Sequence, residues 1–149
     1  MLGTLVDRIL GRDEETADPR LVPLAAATLL IEVAWADHNI SEDELDVVRS
    51  ALTAQFDLTD AEVEDIVSES RSVQDASVGL YDFTRTLVEA WDETKRFELV
   101  VHLWRLALSD TELDRFEEHT IRKIAELLYV SHARFIEAKQ RARRLTGAE

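Results

Sequence analysis

Two stretches of this 149-residue chain place oxygen-bearing side chains at matched offsets. The first, Ala34 to Glu44, carries Asp37, Asn39, Ser41 and Glu44; the second, Ala107 to Glu117, carries Asp110, Glu112, Asp114 and Glu117. The two are separated by a shift of 73 residues. Carboxylate, amide and hydroxyl oxygens around one turn suit a hard cation such as Ca²⁺ or Mg²⁺. An EF-hand loop would need glycine and glutamate where Glu42 and Val48 stand, and where Arg115 and Ile121 stand in the second copy. Neither stretch is an EF-hand. The same residues also have a structural use. Ser41 and Asp114 sit where helix caps belong, with Glu44 and Glu117 three residues on to complete capping boxes. Asp37 and Asp110 are each followed twelve residues later by arginine, Arg49 and Arg122, as ion-pair partners. Capping is the commoner use of such spacing, so it carries more weight than ligation.

Other chemistry is thinner. Glu32 is a lone carboxylate on an apolar stretch, and burying it without a partner would cost several kcal/mol or neutralise it. Under the 73-residue shift it corresponds to Arg105, which predicts a buried Glu32–Arg105 ion pair across the junction of the two copies. A metal-ligand role for Glu32 beside Asp37 is the rival. Glu98 and His102 share a helical face, a spacing able to hold a metal. Paired Glu-x-x-His motifs and His-Glu-x-x-His are both missing, as are a glycine-rich phosphate loop and a nucleophile elbow. No catalytic residue is assigned, and the expectation is a protein that is not an enzyme. Trp35, Trp91 and Trp104 fall in the apolar pattern and are read as core.

The elements that must position these residues are helices. Four glycines, two prolines and few alternating β-branched runs indicate an all-α chain. An amphipathic helix is expected over about 2–11, then a polar linker to residue 17 and a bundle over 18–149. Asp18 and Pro19 open the next helix, apolar on nearly every side to about Asp37. Helices follow over about 41–56, 60–71 (capped by Thr59) and 76–91. Three more, capped by Asp92, Asp114 and Ser131, reach the basic end Lys139 to Arg144. The count is about eight. The hairpins 24–57 and 97–130 are pseudo-equivalent, so a single-domain bundle with a pseudo-twofold axis is expected.

A net charge of −14 repels phosphate backbones and argues against nucleic-acid binding. With no cysteine there are no disulfides or thiolate sites, which fits a reducing cytosol. The start of the chain lacks the pattern of a secretory signal, and the longest apolar run, Leu21 to Ala36, contains Glu32 and Pro23 and is short for a bilayer span. The acidic face Asp57 to Glu69 reads as solvated, and the basic tail as a weak attractor for anionic lipid or an acidic partner.

The first helix ending, Glu-Val-Ala-x-Ala-Asp-x-x-Ile-x-x-x-Glu, and the later Leu-Trp-x-Leu-Ala-x-x-Asp-x-x-Leu-x-x-x-Glu together resemble the TerB family of tellurite-resistance proteins. The same module is found at the N-terminus of a membrane-anchored DnaJ-type co-chaperone. The resemblance spans about residues 21–145. It implies a duplicated all-helical bundle in a cytoplasmic bacterial protein linked to stress and tellurite resistance, with no established catalytic activity. It also implies metal binding at acidic positions, here Glu32, Asp37, Glu44, Asp110 and Glu117. Two features depart from the family pattern: His38 and Thr111 replace a glycine after the aspartate, and Arg105 occupies the position equivalent to Glu32. The expectation is an interaction module with protein partners, a weak homodimer among the options and no certain cofactor. The alternative is a Ca²⁺- or Mg²⁺-binding protein using the acidic loops.

Overall fold

A computed structural model describes residues 20–35, 40–73, 80–109 and 115–147. Among them lie seven helices and no strand: α1 (Leu21–Ala34), α2 (Glu42–Gln55), α3 (Asp60–Val73), α4 (Leu80–Ala90), α5 (Glu93–Ala107), α6 (Arg115–Leu127) and α7 (His132–Thr146). The all-α expectation holds. The expected helix over 2–11, and the Asp18 cap with Pro19, lie outside the described residues.

Capping side chains set the helix starts. Ser41 Oγ accepts from the Glu44 N–H at 3.1 Å, and Glu44 Oε1 accepts from the Ser41 N–H at 2.9 Å, the reciprocal box expected from the sequence. Thr59 and Glu62 repeat it at the start of α3. Asp92 and Ser131 cap α5 and α7 by accepting from Lys95 and Arg134 N–H groups. The α6–α7 turn closes by two backbone bonds. Val130 N–H donates to the Ala125 carbonyl and Tyr129 N–H to the Glu126 carbonyl, with Tyr129 at φ +58°. This is the Schellman arrangement, with a tyrosine in the left-handed position that glycine usually takes. Arg96 on α5 donates to the Leu128 carbonyl at 2.7 Å and ties that turn to the bundle.

Two helices form the centre. On α1 every residue from Pro23 to Ala34 is buried except Glu32, and on α5 every residue from Phe97 to Ala107 is buried except Glu98 and Arg105. α1 packs against α2, α3, α4, α5 and α6; α5 packs against α1, α2, α6 and α7. The partners repeat between the halves. α1 holds α2 and α3 as α5 holds α6 and α7, and α2 reaches α5 as α6 reaches α1. A helix surrounded in this way must be apolar around its circumference, whereas α6 needs only one apolar stripe, Ile121, Ile124 and Ala125.

Equivalence extends past the hairpins to the outer helices. Thr59 and Ser131, both caps, are followed at the same offsets by buried Val63 and Phe135, Ile66 and Ala138, and Ser70 and Ala142. The registers of α3 and α7 therefore correspond at a shift of 72, one residue less than the loops. Aromatic contacts close the ends. Phe56 packs on Trp91 with centroids 5.5 Å apart, and Trp104 on Phe135 at 5.2 Å. Trp91 and Trp104 are core, as expected. Trp35 is not: it is 38% exposed, because α1 gives way to a turn at that residue and its side chain leaves the packed face.

Candidate functional site

The expected Glu32–Arg105 pair does not form. Arg105 turns from the α1–α5 contact toward α2, donating to His102 Nδ1 at 2.9 Å and lying 3.4 Å from Ser50 Oγ. Glu32 is half-exposed rather than buried, so water solvates its charge and no counter-ion is required. The α1–α5 contact is filled by alanine, leucine and valine instead.

Nor do Glu98 and His102 make a pair for a metal. Glu98 is exposed and His102 is buried, despite sharing a helix. Burial, with the Arg105 charge adding to it, lowers the His102 pKa to about 4. The ring is neutral at pH 7. Since a guanidinium only donates, Nδ1 is the acceptor and the proton sits on Nε2.

Of the acidic-loop residues, Asp37, Asp110, Glu112 and Asp114 lie outside the described residues. Glu44 and Glu117 are described, and both are buried at the first turns of equivalent helices α2 and α6. Glu44 spends one oxygen on the cap. Arg49 is engaged by Glu64 at 2.7 Å, Asp46 at 2.9 Å and Glu42 at 3.7 Å, in a cleft of about 380 Å³ between α2 and α3. The hydrogen bond to Glu64, more than any other neighbour, raises its already high pKa. Arg122 has Glu118 at 3.9 Å and lies over Phe135. Among the described residues no three carboxylates or histidines gather into a group that could hold a metal.

The surface feature the structure adds is the charge of the two outer helices. α3 carries Asp60, Glu62, Glu64, Asp65 and Glu69 against Arg71; α7 carries Arg134, Lys139, Arg141, Arg143 and Arg144 against Glu137. Helices in equivalent places thus bear opposite charge. Part of it is consumed inside the molecule. Arg20 holds Glu69, Arg49 holds Glu64, and Arg134 and Arg141 both lie against the Phe97 ring, 3.7 and 4.9 Å from its centroid. Lys139 stands 4.9 Å from the Trp104 ring. The remainder, Asp60 and Asp65 on α3 and Arg143 and Arg144 on α7, is exposed and has no ion-pair partner among the described residues.

The sequence shows an acidic face and a basic tail but not their equivalence. The hairpins repeat at a shift of 73, and the one-residue offset of the outer helices hides the rest. Aligning the caps Thr59 and Ser131 would have revealed it. No helix among the described residues is long and apolar enough to cross a membrane.

Neither a curated protein nor a solved structure matches the chain. The family model described as tellurite resistance protein TerB matches residues 23–140, which takes in all of α2 to α6 and most of α1 and α7. With its duplicated helical packing and a match over most of its length, this chain belongs to the TerB family.

Proposed function

We propose that the protein is a non-enzymatic interaction module within a tellurite-resistance system, binding other macromolecules through its outer helices. One observation carries this reading: the equivalent helices α3 and α7 bear opposite charge, and their outermost charges have no ion-pair partner among the described residues. Exposed single charges add little stability, whereas complementary charge across an interface sets orientation and speeds encounter. A photo-crosslinking residue placed at Gln140, exposed on α7, should give discrete adducts in the native host. The same residue at Thr53, exposed on α2, should give none. A lack of adducts at Gln140, or the same adducts from both positions, would remove the reading.

A cation at the acidic loops is the second reading, supported by the burial of Glu117 beside the loop that carries Asp110, Glu112 and Asp114. Bound Ca²⁺ or Mg²⁺ at a hundredfold its Kd would stabilise by about 2.7 kcal/mol. Thermal melts after chelation, with and without millimolar cation, test it. A melting temperature that stays unchanged, in the natural chain and in Asp110→Asn alike, rejects the cation.

A further inference from the structure

The charged helices define a partner more closely than their sign alone. The last turn of α7 carries Arg143, Arg144 and Leu145, all exposed and fanned around the helix end. Leu145 is 61% exposed, one of few large apolar side chains left in water. At the other outer helix a cleft of about 290 Å³ opens between the start of α1 and α3, lined by Arg20, Pro23, Leu58, Glu62, Asp65 and Ile66. Pro23 and Ile66 are buried and Leu58 half-buried, which makes the floor apolar; Glu62 and Asp65 are exposed and form an acidic rim. The cation at its edge, Arg20, is bonded to Glu69. The chain therefore carries a basic helix end tipped by leucine and an acid-rimmed apolar cleft on the equivalent helix of its other half.

We propose that the C-terminal turn of α7 in one copy of this chain docks into the α1–α3 cleft of a second copy. Leu145 enters between Pro23, Leu58 and Ile66, and Arg143 and Arg144 meet Glu62 and Asp65. This rests on the interaction-module reading and names one partner for it. Each copy offers one tail and one cleft, so the contact is heterologous and does not close by itself; copies join head to tail. A helix end in a small cleft buries less than a standard interface, which places the contact in the weak, transient class. Copies of net charge −14 repel at long range. At about 0.1 M salt that repulsion is screened beyond about 10 Å, while touching charges still attract.

Sedimentation of the full chain tests this from about 10 μM to about 1 mM, the range of weak affinities. At about 0.1 M salt the average mass should rise with concentration past that of a dimer, and about 0.5 M salt should return it toward the monomer. Arg143→Ala/Arg144→Ala should stay monomeric, as should Glu62→Gln/Asp65→Asn, in which glutamine keeps the Thr59 cap. Leu145→Asp should do the same. All five positions are exposed, and unchanged melting temperatures would show intact folding. Mixing the two double variants should give a one-to-one heterodimer and nothing larger, since only one intact tail and one intact cleft remain. A natural chain still monomeric at about 1 mM, or association that none of the variants weakens, overturns the proposal. If the chain is monomeric yet Gln140 crosslinks to another protein, self-docking falls and the interaction reading stands.

Discussion

His102 links a buried side chain to acid stability. Its pKa falls from the usual value near 6.5 to about 4 in the fold. Between those values the unfolded chain binds the proton and the folded chain does not. Stability from this group is therefore complete above about pH 6.5 and is lost as pH falls toward 4, by about 3 kcal/mol in all. In His102→Gln, which keeps an acceptor beside Arg105, the urea midpoint should fall less steeply across that window than in the natural protein. Identical slopes would mean the ring is solvated. Tyr129 offers a second residue-scale test. Its φ of +58° is strained for a tyrosine, and 72% of its surface is exposed. Tyr129→Gly should leave stability equal or higher by up to about 1 kcal/mol, whereas Tyr129→Ile should lower it by about 1 kcal/mol or more. Matching losses in both would show that the side chain, not the backbone, matters there.

At the scale of the element, the caps on α2 and α3 differ in setting. Ser41 and Glu44 form a box in which Glu44 is buried, while Thr59 and Glu62 form the same box in water. Removing either hydroxyl leaves a helix-end N–H without its acceptor, worth about 1 kcal/mol. Ser41→Ala should cost the larger amount, because water cannot replace a hydroxyl as readily beside a buried carboxylate. Chemical denaturation of the two variants measures the difference; a greater loss in Thr59→Ala would contradict it. Along α5 the contrast is between Leu103, fully buried, and Glu98, exposed on the same helix. Leu103→Ala should lose about 2–5 kcal/mol and Glu98→Ala less than about 0.5 kcal/mol.

At the scale of the molecule, one central helix, α1, was legible as apolar on nearly every side, and the helices around it as amphipathic, from periodicity alone. So was the duplication of the hairpins, because caps and loop residues recur at one shift. The ion pair was not. Corresponding positions in a repeat meet only if they lie on the axis between the copies, and Glu32 and Arg105 do not. Arg105 instead reaches Ser50 on α2, a neighbour 55 residues away that no spacing announces. The acid and basic helices were visible as charge runs, yet their structural equivalence was hidden by a one-residue change in register.

Sequence by itself determined which segments are helices, where four of them begin and that α1 is wrapped on all sides, because capping and hydrophobic periodicity are local or depend on composition around one axis. Tertiary structure alone decided which charges find partners and which are left facing outward. That outcome depends on distances between residues on different helices, and an electrostatic contact a few ångströms long is set by packing, not by position along the chain.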